Sequence, residues 1–480
     1  MILPADMALL IEALHGEIAA LRAENEALRA QNEALRAENG ELRRRLDQDS
    51  STSSKPPSSD GLRKKPRVAG SLRGRSGKMS GGQPGHKGDT LRRSAAPDRI
   101  VEHAAWACRH CGSPLTAAMR KGEEKRQVFD LPERLIEVTE HRAAIYACGH
   151  CGERTRASFP QDASAPTQYG PRFRAAAVYL NLQQLVPEDR VAEAMADLFG
   201  AARFCPMSLT RWVEAKARAF EPVAERIGAL AAAAPVRCLD ETGFRVAGGN
   251  HWLHTIATDA LSFYRVSRKR GDLPRDLAGG VIVHDGLKGY YAIGGAAHAL
   301  CNAHHLRELK ALIEFDKESW AEPMRDLLLQ AHRAVEAARH GGQTALAPAV
   351  LAEFKARYWE WLRFGLSYHR SLPRLPRHAS KRGREKRRPG HNLLVRLHKF
   401  KDDALRFLVD FAVPFTNNLA EQALRMMKVK MKISGGFRTL EAARDFAALR
   451  STLATARKRG WNILDTLTQK PHDLIQALDA

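Results

Sequence analysis

The sequence predicts a multidomain chain: a helical N-terminal segment, a small cysteine-rich module, and an α/β core interrupted by helices. Three observations carry this reading. A leucine recurs every seventh residue from Leu14 to Leu42, two C-x-x-C pairs stand at 108–111 and 148–151, and helical patterning gives way to strand patterning at Pro235. At 480 residues the chain is too long for one ordinary core, and 44% hydrophobic residues can fill several. The 76 Lys+Arg against 54 Asp+Glu leave a formal charge of +22. Such a balance points to a polyanionic partner, because each neutralised phosphate releases counterions. Charge alone fits a ribosomal or membrane-surface protein equally well. No apolar run approaches the ~18 residues that span a bilayer. The N-terminus lacks the basic-then-apolar order of a signal peptide, so a cytoplasmic protein with no membrane partner is expected. Seven cysteines are too few for a disulfide scaffold.

Residues 1–47 come first. Within 7–47, Leu14, Leu21, Leu28, Leu35 and Leu42 occupy heptad position d. Ile11, Ile18, Asn25, Asn32, Asn39 and Leu46 fall at position a. Leucine at d with buried asparagine at a favours a parallel two-stranded coiled coil, because paired asparagines penalise other registers at some cost in stability. A homodimer, or a higher assembly, is expected through this zipper; the plainer reading is a solitary charged helix. Residues 48–100 are rich in Ser, Gly, Pro, Lys and Arg and can bury almost nothing, so they are expected to be a disordered basic linker. Such a linker is either simply solvated or a tether that settles on phosphates.

Residues 101–155 hold Cys108, Cys111, Cys148 and Cys151. VFDL and RLIEVTEHRAAIY between the pairs read as strands, and a hairpin brings its ends together whatever its length. Four thiolates in a tetrahedron suit structural Zn²⁺, which makes this segment a zinc ribbon. A module this small needs the ion to fold. His110 and His150, inside the knuckles, are bystanders in this reading. Residues 156–234 form a helical region, helical by period over 170–232. RVAEAMADLFG and SLTRWVEAKARAF, separated by a short break, read either as a helix-turn-helix DNA reader or as two ordinary amphipathic helices.

The core begins at 235, with its first part over 235–310. VRCLDETGFRV, NHWLHTIATD and LSFYRVSRKR read as three successive strands, with Gly248-Gly249 at the first turn. GGVIVHDGLKGYY reads as a buried fourth strand ending in Asp285, and AAHALCNAHHLRELK as a strand running into a helix. Three antiparallel strands followed by strand–helix alternation is the order of the ribonuclease-H-like fold. In that topology Asp240, in the first strand, and Asp285, at the end of the fourth, are neighbours. Strand alternation turns Glu241 to the opposite face and leaves Cys238 on the face of Asp240.

A third carboxylate is expected from the helix of PFTNNLAEQALRMMKVKMK, within the last segment, 401–480. Asn417 or Asn418 caps this helix and Glu421 sits in its first turn. Arg425 and Lys428 follow at i+4 and i+7 on the same face, placed to hold a DNA phosphate. Attack on a phosphodiester needs an activated oxygen nucleophile and a stabilised leaving oxygen. Two Mg²⁺ (or Mn²⁺) ions about 3.5–4 Å apart supply both, and hard carboxylate oxygens suit them. Three acids in a long chain mean little singly; their order on first strand, fourth strand and later helix is what selects Asp240, Asp285 and Glu421.

At these residues the chain resembles the insertion sequence 66 family of bacterial transposases. The resemblance runs over nearly the whole chain: the zipper, SSKPPSSDG, GGQPGHKG, the paired C-x-x-C, LDET, HDGLKGY, C-x-A-H at Cys301 to His304, and NNLAEQALR. It implies an Asp-Asp-Glu transposase that cleaves and joins DNA strands, with the acids at Asp240, Asp285 and Glu421. Its DNA partners are the element's terminal repeats and the target, alongside any element-encoded accessory proteins. After the Glu421 helix this chain departs from the family pattern, reading KVKMKISGGFRT.

Residues 311–400 separate the core's two parts and read as a helical insertion. Its basic loop, PRLPRHASKRGREKRRPGH, offers Lys381, Arg382, Arg384, Arg387 and Arg388 to DNA or, in the plainer reading, to solvent. Cys301 is expected to be buried and His304 to lie near the site, against the scissile phosphate. DFAALRSTLATARKRGWNILDTL reads as an amphipathic packing helix with a turn at Gly460. Two other functions stay open at this level: a non-catalytic DNA-binding regulator, against which the intact acid set argues, and a structure-specific nuclease using the same fold and metals.

Overall fold

The computed structural model describes residues 5–47, 52, 93–129, 135–148, 150–151, 153–160, 163–273, 277, 279–373, 375 and 387–480. The chain forms two compact units: Met1–Gly70 with Tyr169–Val191 and Cys205–Ala480, and Ser71–Gln168 with Ala192–Phe204. Most of the expected linker, residues 53–92, lies outside the described residues, as do Lys381, Arg382 and Arg384. Among the described residues no helix is long and apolar enough to cross a membrane.

The N-terminal helix α1 runs unbroken over Ala5–Asp47. Its leucine ladder is open to solvent on this single chain, from Leu42 at 48% to Leu21 at 62% exposed. In the smaller unit, β1 (Ile145–Ala147) and β2 (Arg154–Arg156) form a short antiparallel hairpin. Among the described residues the longer hairpin expected between the two cysteine pairs is not formed: 128–129 and 135–144 have no regular structure, and the hairpin instead flanks the second pair. These residues bury almost nothing, with Val128 at 90% exposed, so apolar packing gives a strand no support here.

Helices α2 (Pro171–Leu182), α3 (Glu188–Phe199) and α4 (Pro206–Ala233) precede the sheet. The second helix of the expected helix-turn-helix is thus a 28-residue rod, not a short recognition helix. Its C-terminal half belongs to the core: Phe220, Val223, Ile227 and Ala231 are buried, and at Gly228 a side chain would collide with the ring of Phe263.

The sheet holds β3 (Val236–Val246), β4 (Gly249–Ala257), β5 (Ser262–Ser267), β6 (Val281–His284) and β7 (Ala297–Leu300), in the order β5-β4-β3-β6-β7. The first three strands are antiparallel neighbours, whereas β6 and β7 run parallel to β3. The β3–β4 turn is Ala247-Gly248, both with positive φ, and Gly249 already pairs with Val246. Two left-handed residues match the twist of the strands they join, although an alanine in the first place carries some strain. The outer edge of β5 is covered by α12 (Leu440–Lys458). Ser451 and Thr455 accept the free N–H groups of Tyr264 and Ser262 at 2.9 and 3.1 Å, which removes an edge open to pairing.

After β7 come α5 (Asn302–Ala311), a π-helical turn at Leu312–Asp316, α6 (Ala321–His340), α7 (Pro348–Ser371), α8 (Pro389–Lys399) and two single turns, α9 (Lys401–Ala404) and α10 (Arg406–Val409). They close on a core of their own around Trp320, Leu328, Leu362, Leu394 and Phe407. Helix α11 (Asn418–Ser434) then returns to the sheet. It stops at Gly435 in the left-handed conformation, and Gly436 passes so close to Arg245 that a Cβ would sit 2.6 Å from its carbonyl oxygen. That approach lets Phe437 bond back to the end of β3 and pack on Phe244. Helices α13 (Ile463–Thr468) and α14 (Pro471–Asp479) follow a left-handed Gly460.

Candidate active site

The parallel register of β3 and β6 pairs Val236 with Val281 and Cys238 with Val283. Extended by two residues past the last pair, that register sets Asp240 opposite Asp285, although the ligand atoms of Asp240, Asp285 and Glu421 do not all lie within 4.8 Å of one another. Asp285 lies one residue past β6, and its carboxylate accepts the amide of Leu287 at 2.9 Å. That bond shapes the turn and leaves oxygens of the same carboxylate available.

The face of β3 that carries Asp240 is the face on which α11 lies. Cys238, Val283, Ala299, Val413 and Ala420 share one buried apolar cluster. Ala420 immediately precedes Glu421, so seating the helix delivers the third carboxylate to this side of the sheet. Asn417 holds the helix start in place in a way the sequence did not suggest. It stands at the N-cap position but makes no side-chain cap bond. Its amide donates instead to the carbonyl of Leu239 at 2.7 Å, next to Asp240, and its backbone N–H donates to Cys301 Sγ at 3.1 Å. A buried amide gains more from an unpaired strand carbonyl than from a helix end that water reaches. The second asparagine of the Asn-Asn pair was the available clue, since one cap needs only one.

The acids lie within one another's field. Burial pushes the carboxyl of Asp240 up to about 8; repulsion from Glu241, Asp285 and Glu421 adds to this, and the amide of Glu241, donating at 2.8 Å, opposes it. A half-buried carboxyl repelled by other acids fits a cation-binding site, because a divalent ion among hard oxygens relieves both effects. Glu241 faces away. Its side chain is buried, paired with Arg270 at 2.8 Å, and accepts the hydroxyl of Tyr290.

Around Glu421 stand three further groups. His304 Nδ1 and Cys301 Sγ each lie 3.9 Å from Oε1, and Arg307 Nη2 lies 3.6 Å from Oε2. Burial holds the imidazole of His304 below its usual range and Arg307 adds to that, while Glu421 and Asp285 pull it back up. Burial drives the thiol of Cys301 up to about 12, with Glu421 adding repulsion. Arg307 was not singled out from the sequence; a cation one turn after His304 was its only signal. Arg425 and Lys428 are exposed along α11 beyond Glu421. Of the basic loop, Arg387 and Arg388 are half-buried, and Arg388 donates to the carbonyl of Pro373 at 2.8 Å, so part of its guanidinium is engaged within the protein.

In the smaller unit each cysteine pair forms a tight knuckle. Gly112 N–H bonds Cys108 O and Cys108 N–H bonds Ser113 O, both at 2.9 Å, while Cys148 N–H bonds Glu153 O at 2.8 Å. Hydrogen bonds lower both inner thiols: at Cys111 mainly from the Ser113 hydroxyl, at Cys148 mainly from the Cys151 and His150 amides. Thiols so disposed fit Zn²⁺, which binds thiolates. No three of the four sulfurs lie within 4.8 Å of one another, so an ion held by all four would have to draw the knuckles together. Among the described residues, the one group of three ligand-type side chains within 4.8 Å of one another is Cys301, His304 and Glu421.

Comparison with known families agrees with these parts. The zinc-finger binding domain of transposase IS66 matches residues 106–152, which contain all four knuckle cysteines and support zinc there. A family of unknown function matches residues 1–92. No curated protein matches the chain. The transposase IS66 family matches residues 166–445, more than half of the chain and every strand, helix and acid of the site just described. On that match, the protein belongs to the IS66 family of transposases.

Proposed function

We propose that this transposase cleaves and joins DNA strands at a ribonuclease-H-like site whose metal ligands are Asp240, Asp285 and Glu421. The single observation that supports the reading is the β3–β6 register, whose extension by two residues runs to Asp240 and Asp285, on the sheet face that α11 covers. The strand order, three antiparallel and two parallel, supports the fold assignment. When bound, two Mg²⁺ or Mn²⁺ ions supply an activated oxygen nucleophile and neutralise the leaving oxygen. The chain's own residues do the rest. Asp240 and Asp285 hold the metal side from adjacent strands. Glu421 closes it from the helix, with its second oxygen oriented by Arg307. His304 lies where it can meet the scissile phosphate, while Arg425 and Lys428 continue a cationic track along α11 for the DNA backbone. The basic loop around Arg387 and Arg388, with Lys381, Arg382 and Arg384, adds backbone attraction without sequence information.

The N-terminal helix is read as one half of a parallel coiled coil, since its leucine ladder is exposed on the single chain. Two chains would then present two zinc knuckle modules and two acid sites to two DNA ends, in the cytoplasm at the nucleoid. The test is direct. Purified protein, Mg²⁺ and DNA carrying the element's own ends should give cleaved and joined strands, mapped by sequencing. Asp240→Ala, Asp285→Ala or Glu421→Ala should abolish both products while end binding persists, and Ca²⁺ should permit binding only. Full strand transfer by Asp285→Ala would sink the assignment. Cleavage without joining would instead identify a nuclease.

A further inference from the structure

We infer that Cys301, His304 and Glu421 form a second metal site, selective for a single thiophilic divalent cation of the Zn²⁺ class. The site stands on the geometry of these three side chains and not on the catalytic reading. Cys301 is the N-cap residue of α5 and His304 lies in its first turn, so the C-x-x-H spacing at a helix start turns both toward the same side. Glu421 reaches them from α11, 117 residues further along the chain than His304. Their ligand atoms all lie within 4.8 Å of one another, with Oε1 of Glu421 at 3.9 Å from both Sγ and Nδ1. A tetrahedral ion with bonds of about 2.0–2.3 Å holds its ligand atoms roughly 3.3–3.8 Å apart, so the two contacts to Oε1 need a contraction of a few tenths of an ångström and the sulfur–nitrogen pair at most about one ångström.

Three details favour an ion over simple packing. His304 Nδ1 is shielded from solvent and has no hydrogen-bond partner, an arrangement that costs free energy unless something binds there. Cys301 Sγ already accepts the amide of Asn417 at 3.1 Å, a donor that stabilises a metal thiolate. Arg307 takes the other oxygen of Glu421, at 3.6 Å, which leaves Oε1 to the sulfur and nitrogen. One sulfur, one imidazole nitrogen and one carboxylate oxygen are three members of a zinc donor set, whose fourth ligand would be water. Mg²⁺ demands six oxygens in an octahedron and does not compete for it. Binding releases the thiol proton of Cys301 and occupies Oε1 of Glu421. If Glu421 is also a Mg²⁺ ligand, an ion here withdraws it from that set.

The experiment is metal counting on the full chain without DNA. The protein is exposed to micromolar Zn²⁺ in excess Mg²⁺, desalted and analysed for zinc, and in parallel loaded with Co²⁺ and read for sulfur-to-cobalt absorption. Wild type should bind one more zinc per chain than Cys301→Ser or His304→Gln, and Mg²⁺ should not displace it. Cys111→Ser/Cys148→Ser should keep this zinc while losing the knuckle zinc. His304 is less buried than Cys301, so His304→Gln decides the matter if Cys301→Ser does not fold by circular dichroism. Equal zinc in wild type and in folded His304→Gln would overturn the site. Asp285→Ala is expected to keep the zinc whatever it does to strand transfer, so failure here and failure of the catalytic reading are told apart.

Discussion

Tyr290 donates its hydroxyl to the carboxylate of Glu241, and this bond ties the strand that carries Asp240 to the loop that carries Asp285. Both groups are buried, and Arg270 completes the arrangement by pairing with Glu241 at 2.8 Å while lying over the ring of Trp252 at 5.1 Å. If Asp240 and Asp285 hold the metal as proposed, Glu241 is a positioning residue on the reverse face of β3. Tyr290→Phe leaves one buried carboxylate oxygen without its donor, at a cost of about 1–3 kcal/mol. Strand transfer should fall roughly 10–100-fold, as for loss of other groups that orient metal ligands. The Mg²⁺ concentration for half-maximal rate should rise with it. A folded Tyr290→Phe protein with wild-type Mg²⁺ dependence would show that the bond only stabilises the fold.

The buried histidines make the larger unit sensitive to acid. Burial lowers His254 to about 4 and His284 and His305 to about 3, the last two with help from His298 and Arg396. In the unfolded chain these groups titrate near 6.5. The unfolded state therefore binds more protons between about pH 6.5 and 3–4, and stability present above that window is lost as pH falls through it. Each histidine contributes on the order of 1–3 kcal/mol. Asp240, whose carboxyl is pushed up to about 8, acts in the opposite sense and offsets about one histidine, so the three histidines together still win. Denaturant midpoints should drop from pH 6.5 to 4, with a shallower slope in His254→Gln. A midpoint that is constant down to pH 4.5 would contradict this account.

The knuckle cysteines should hold their zinc far more tightly than the Cys301 site, because four thiolates outbid one. About one zinc per chain is expected to survive a mild chelator wash. The Cys148→Ser/Cys151→Ser protein should lose it, along with specific end binding, while α1 and the sheet stay folded by circular dichroism. Retention of both metal and specific binding in that variant would remove zinc from residues 106–152.

Deletion of residues 1–47 should spare single-end binding and knuckle zinc but reduce complexes holding two DNA ends. Sedimentation of the full chain and the deletion decides whether α1 associates. Identical, monomeric behaviour of both at tens of micromolar would leave pairing to other surfaces. Replacing Asn25, Asn32 and Asn39 with Leu should strengthen association while blurring oligomer number, since the polar register signal is gone.

Much of the site's framework was legible from residue order. The strand of VRCLDETGFRV begins and ends as its alternation predicts, at Val236 and Val246, because inward and outward positions along one strand are a local property. The seven-residue ladder implied one long helix, and α1 is one. Local patterns failed where nothing local decides. The helical period through 232 was legible, but not that Pro206–Ala233 is one unbroken helix whose second half packs on the sheet and α12. The strands expected between the cysteine pairs had the right composition but no apolar surface to pack on.

Sequence by itself determined which residues can do chemistry and on which elements they ride: Asp240 on a strand, Asp285 at a strand end, Glu421 in the first turn of a helix. Only the tertiary structure decided what each of them faces. The β3–β6 register aligns the two aspartates, Asn417 turns from capping to anchoring α11 on Leu239, and Glu421 faces Cys301 and His304 across more than a hundred residues of intervening chain. Periodicity reports the face a side chain takes on its own element. Which faces touch is set by burying the most apolar surface while leaving the fewest polar groups unpaired, and that balance is struck over the whole molecule at once.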